Sequence, residues 1–163
     1  SLRRTLQLYR SLHHTKAFLN SLVERPEAAV INISSLFGLV GVADQVAYCT
    51  SKFAVRGFTE SLRMELMDTN VEVYCVHPGG INTNISKNAV HYEKNAALDK
   101  KFQKALERTS PEQAAKVILK HIERKDEKIL IGVDAVLGDR LARTMPVGYT
   151  KIIKTMSDYI TKN

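Results

Sequence analysis

AAVINISSLFGLVGVADQVAYCTSKFAVRGFTESLRMEL, residues 28–66, divides into three pieces with different character. Ala28 to Ser34 carries no charge and is rich in apolar and β-branched residues, which suits a strand buried on both faces of a sheet. SLFGLVGVADQ, residues 35–45, reads as a glycine-containing loop. From Val46 to about Met67 apolar residues return at helical spacing. In that helix Tyr48 and Lys52 stand four residues apart and share a face, with only the small Cys49, Thr50 and Ser51 between them. Alone, such a pair usually means surface packing. Its surroundings change that reading.

Upstream, Arg3 to Val23 reads as a helix whose apolar face includes Leu6, Leu12, Phe18, Leu19 and Leu22, and Arg25-Pro26-Glu27 ends it. Downstream, VEVYCVHP (Val71 to Pro78) reads as a second buried strand and GGINTNI (79–85) as a loop. Asn95 to Glu107 looks helical and polar. Ser110-Pro111-Glu112-Gln113 starts another helix, with a Ser cap, Pro in the first turn and Gln113 in the capping-box place. It runs to about Arg124. KILIGV (Lys128 to Val133) reads as a third strand, and one or two helices close the chain. Apolar strands alternating with helices imply an α/β fold with a parallel sheet. Ligands bind at the carboxyl ends of such strands. Two loops leave strand ends here, SSLFG (34–38) and HPGGINT (77–83).

The chain has 163 residues, enough for one domain with its own core. The net charge of +7 is spread along the sequence with acids among the bases. No aromatic-interleaved basic stripe points to nucleic acid. No apolar stretch reaches the ~20 residues of a membrane span. Cys49 and Cys75 each lie in an apolar segment without a CxxC, as expected of reduced thiols in a cytoplasmic protein. The chain starts at Ser1 with no apolar segment after Arg3-Arg4, so no signal peptide is expected; a fragment or processed product is.

Ser35 precedes Tyr48 by thirteen residues, and Lys52 follows by four. With the strand before them and HPGGINT behind, these residues resemble the catalytic core and Pro-Gly-x-x-x-Thr element of the short-chain dehydrogenases/reductases. The resemblance runs from about His14 through Gly132. TKAFL (15–19) and SPEQAAKVILKHIERKDEKILIGVDA (110–135) most resemble the acetoin-dehydrogenase-like members. It implies a partial doubly wound, Rossmann-like sheet and an NAD(P)-dependent oxidoreductase that interconverts a hydroxyl and a carbonyl on a small molecule. It implies Ser35, Tyr48 and Lys52 as catalytic residues. It also implies that Tyr48, Lys52, Pro78, Gly79, Ile81 and Thr83 hold NAD or NADP, by main chain near Gly79 and Ile81. It further implies a homo-oligomer formed through the first helix and the Tyr48-Lys52 helix.

The chemistry explains the spacing. Carbonyl reduction needs a hydride at carbon and a proton at oxygen. A phenol ordinarily titrates near 10, and a neighbouring cation favours its ionised form. Ser35 is placed to hydrogen-bond the substrate oxygen. Each residue also has a plain structural reading. Ser34 and Ser35 are turn formers; the spacing to Tyr48 selects Ser35 and leaves Ser34 as support. Pro78-Gly79-Gly80 is an ordinary turn when read alone, Thr83 a helix cap, and His77 a structural histidine. His13, His14, His91 and His121 lack metal-ligand spacing. Asp44 and Gln45 are placed near the substrate, and Met64 and Met67 are read as core or interface fillers. The C-terminal apolar residues Val147, Ile152, Ile153, Met156, Tyr159 and Ile160 read as a helix covering the substrate side or a partner chain, with a membrane-surface helix as the alternative.

The resemblance also implies a Gly-rich strand–turn–helix that this sequence lacks, on the order of a hundred residues as three βα units. The family's catalytic Asn falls near Gln7. Ala28 to Ser34 is then expected to form an open sheet edge that pairs with another chain. A catalytically silent fragment acting as an interaction module is the competing reading.

Overall fold

The computed structural model describes residues 2–82 and 109–162. Along them run α1 (Leu2–Val23), β1 (Ala28–Ile33), a 3-10 turn (Leu36–Gly38), α2 (Val46–Glu65) and β2 (Val71–Pro78). Then come α3 (Pro111–Glu123), β3 (Lys128–Ile131), α4 (Val133–Thr144) and α5 (Tyr149–Lys162). The strands form a parallel sheet in the order β1-β2-β3, with Val30 opposite Val73 and His77 opposite Leu130. The alternation of elements called for a parallel sheet, and its arrangement is the partial doubly wound one that the resemblance implied.

Successive β2 side chains point to opposite faces, and each face has its own core. Val71 and Val73 join Val30, Leu62 and Leu66 in one cluster, against which Leu19, Leu22 and Phe58 pack. Tyr74 and Val76 join Ile129, Ile131 and Ala114 in the other, covered by Val117, Ile118 and Ile122 of α3. Helix α2 turns a seam of Ser51, Val55, Thr59 and Leu62 inward. The buried Thr59 hydroxyl donates to the Val55 carbonyl at 2.6 Å, and Cys75 of β2 shares a side-chain hydrogen bond with it. Ser110 and Gln113 cap α3 reciprocally, with Pro111 in its first turn, as the sequence indicates.

Strand β1 departs from the expectation of burial on both faces. Val30 and Asn32 are buried, whereas Ile31 and Ile33 are 41% and 48% exposed. The reason is the layer on that side: α3 and α4 cover β2 and β3, and among the described residues no helix covers this face of β1. Along the edge of β1 that is unpaired among the described residues, α1 leaves a groove of about 650 Å³ lined by Ser11, His14, Thr15, Phe18, Asn32 and Lys52. Phe18 is exposed there and leaves the apolar face assigned to it. The third strand ends at Ile131, two residues earlier than expected, because Gly132 at φ 95° turns the chain and Val133 opens α4. Met64 and Met67 are exposed, so neither fills the core. The Asn95–Glu107 helix and Thr83 lie outside the described residues. Cys49 and Cys75 are buried free thiols, and burial pushes the Cys75 thiol up. Among the described residues no helix is long and apolar enough to cross a membrane.

Candidate active site

The site begins where β1 ends. The Ser34 amide continues the sheet ladder by donating to the Val76 carbonyl at 2.8 Å, and its hydroxyl donates to the Lys52 carbonyl at 2.8 Å. A strand end is thereby fastened to the middle of α2's first turns. Gly38 approaches the same carbonyl: a Cβ there would lie 2.8 Å from the Lys52 oxygen and would strike Ser34 Oγ. Only glycine lets the turn dock this closely. Ser35 caps the turn, its Oγ accepting the Phe37 N–H at 3.2 Å. Its main-chain oxygen pairs with His77 Nδ1 at 3.1 Å, and since a carbonyl only accepts, the proton sits on Nδ1. Burial lowers the His77 pKa to about 4, so the ring is neutral at neutral pH.

Tyr48 and Lys52 share a face of α2, with Lys52 Nζ 5.7 Å from the centre of the Tyr48 ring, within cation–π range. The same ammonium donates to the Ile33 carbonyl at 3.1 Å. Burial at this strand end holds it below its ordinary range. Phe37 meets Tyr48 edge-on, ring centres 6.1 Å apart at 84°. Ser35, Tyr48 and Lys52 are thus gathered at the carboxyl end of β1, Tyr48 through Phe37 on the Ser35 turn and Lys52 through Ile33. Ser51, between the pair, is buried and donates to the Tyr48 carbonyl at 2.8 Å. Ser34 supports the turn and His77 supports Ser35, as expected of both.

The second loop leaves β2. Gly79 N–H donates to the Ile131 carbonyl at 2.8 Å, and Gly80 N–H donates to Asp134 Oδ2 at 2.7 Å. The Asp134 carboxylate lies where a Cβ on Gly79 would be. Ile81 bridges to Thr109, and Asn82 N–H donates to the Thr109 carbonyl at 3.0 Å.

The family model for short chain dehydrogenases matches residues 7–94. The chain belongs to that family. The Mycobacterium tuberculosis protein SadH is 41% identical to this short-chain dehydrogenase over 143 residues, which span 85% of the chain and 52% of SadH. A short-chain dehydrogenase of Burkholderia cenocepacia, solved with NADP, superposes at a TM-score of 0.75 and 22% identity over 92% of the chain and 56% of that protein. One from Burkholderia phymatum, solved with NAD, gives 0.72 and 21% over 85% and 55%. At these identities the two structures speak for the fold. The chain spans about half the length of the relatives it matches.

Four features of this short-chain dehydrogenase escaped the sequence reading. Gly38 was visible only as a loop glycine, and the Ser35–His77 contact spans 42 residues. Asp134 meets Gly80 across 54 residues, and Tyr149 Oη accepts the Gly41 N–H at 3.1 Å across 108. No local periodicity encodes such pairs.

Proposed function

We propose that this chain carries the acid–base site of an NAD(P)-dependent oxidoreductase that interconverts a hydroxyl and a carbonyl on a small molecule. The observation that carries the reading is the Lys52 ammonium, tied to the end of β1 and set against the Tyr48 ring beside Ser35. Tyr48 Oη gives its proton to the carbonyl oxygen in reduction and takes it back in oxidation. Negative charge on the phenol is stabilised by the ammonium one helical turn away. Ser35 Oγ uses a lone pair on Phe37 N–H and keeps its own hydrogen to donate to the same substrate oxygen.

A nicotinamide cofactor supplies or accepts the hydride when bound. The residues present fit its nicotinamide end. Lys52 spends one of three N–H donors on Ile33, and the buried Asn32 Nδ2 lines the same groove with no partner of its own. Lys52, Gly79 and Ile81 would hold it, with Pro78 shaping the turn and Thr83 following. The two Burkholderia relatives bind NADP and NAD respectively, and both cofactors stay open for this chain.

A second reading, a catalytically silent module that pairs with another chain, draws on the free edge and half-exposed face of β1. Fluorescence titration of NADH and NADPH separates the two. Saturable binding at micromolar cofactor, weakened in Lys52→Met, supports the enzyme. Absence of binding by the native chain, with concentration-dependent self-association, supports the module.

A further inference from the structure

We propose that α4 and α5 form a clamp that positions both loops of the site, with Asp134 and Tyr149 as its positioning residues. The inference rests on the reading of those two loops as the site. Each loop leaves a strand end and each exposes a glycine N–H. Both amides are taken by side chains from the C-terminal segment: Gly80 by Asp134 Oδ2 at 2.7 Å and Gly41 by Tyr149 Oη at 3.1 Å. Leu36 of the first loop also packs on α4 at Gly138, where a Cβ would lie 2.5 Å from its Cδ1. One C-terminal unit therefore touches the Ser35 turn, the loop leading to Tyr48 and the Pro78–Gly80 turn.

The chemistry of the anchors sets what each does. Gly80 belongs to a turn whose glycines would otherwise sample many conformations, and a charge-assisted hydrogen bond removes that freedom. The Asp134 carboxylate fits above Gly79 only because Gly79 has no Cβ. It also places a fixed negative charge at the turn and occupies the Gly80 N–H, so that amide is closed to a phosphate. Tyr149 opens α5, so its hydroxyl ties the last helix to the loop between Ser35 and Tyr48.

The test is amide hydrogen exchange by NMR on the native chain and on Asp134→Asn, Asp134→Ala and Tyr149→Phe. The clamp requires Gly80 and Gly41 to be protected in the native chain. Asp134→Ala should speed Gly80 exchange by about tenfold or more, while Asp134→Asn, which keeps an acceptor, stays within about threefold. Tyr149→Phe should do the same to Gly41 alone. Unchanged Val73 and Cys75 amides in β2 report an intact fold. Unprotected Gly80 and Gly41 in the native chain, or native exchange rates in Asp134→Ala and Tyr149→Phe, would overturn the clamp. NAD(P)H affinity adds the functional readout, with about a tenfold loss in Asp134→Ala and in Tyr149→Phe and rescue in Asp134→Asn. Loosened glycines with unchanged affinity would remove the positioning role. If the native chain binds no cofactor, the oxidoreductase reading fails and the exchange rates alone decide the clamp.

Discussion

Strands β1 and β2 read alike in sequence, both apolar and β-branched, yet they occupy different surroundings. Strand β2 has a neighbour on each side and a core on each face, with Tyr74, Val76 and His77 almost wholly shielded. Among the described residues, strand β1 has one paired neighbour and one covered face, while Ile31 and Ile33 stand half in solvent. The difference separates two tasks. Strand β2 holds the fold together. The end of β1 supplies Ser35 and the Ile33 carbonyl that fixes Lys52, and its open side is where another strand or chain can add.

The strongest way to break this contrast is to carve into the β2–β3 core. Ile129→Ala should cost about 2–5 kcal/mol, because Ile129 is fully buried and its removal leaves a cavity. Urea unfolding midpoints measure it. A loss below about 1 kcal/mol would mean that the β2 side is as loosely packed as the β1 side.

Acid sharpens the same point through His77. Its pKa is lowered to about 4, mainly by burial, with Lys128 and Arg56 pushing the same way against Asp139 and the Ser35 hydrogen bond. The unfolded chain therefore takes up this proton first as pH falls. The contribution of the neutral ring is complete above about pH 6.5 and is lost progressively toward pH 4, on the order of 3 kcal/mol in all. Unfolding midpoints of the native chain and of His77→Gln, followed over that window, should converge as the pH drops. Parallel curves would mean that His77 is not held neutral.

The smallest effect belongs to the open face. Ile33→Lys should change stability by no more than about 0.5 kcal/mol, since the side chain is already half exposed. It should also reduce self-association, read by sedimentation at several concentrations, because a charge on an edge strand discourages pairing. A loss comparable to Ile129→Ala would show that this face is covered after all.

What the sequence made legible follows the range of the interactions. Strand β2, the Ser110 cap and helix α2 came out within a residue or two, since each is written in adjacent residues or in a repeat of three to four. The Tyr48-Lys52 pair was legible for the same reason. Exposure of Ile31 and Ile33 was not, because it depends on which layer lies over β1. The end of β3 turned on one glycine, Gly132, whose positive φ the pattern of apolar residues does not reveal. Asp134 and Tyr149 act on glycine amides far away in sequence, and only the folded chain brings them together.

The account stands most directly on the phenol of Tyr48. NAD(P)H oxidation with a panel of small ketones, or NAD(P)+ reduction with the matching alcohols, should show turnover in the native chain. Tyr48→Phe should lose it by about 10²–10⁴-fold while its unfolding midpoint stays native. Turnover in Tyr48→Phe equal to the native chain would contradict the assignment of the proton to this residue.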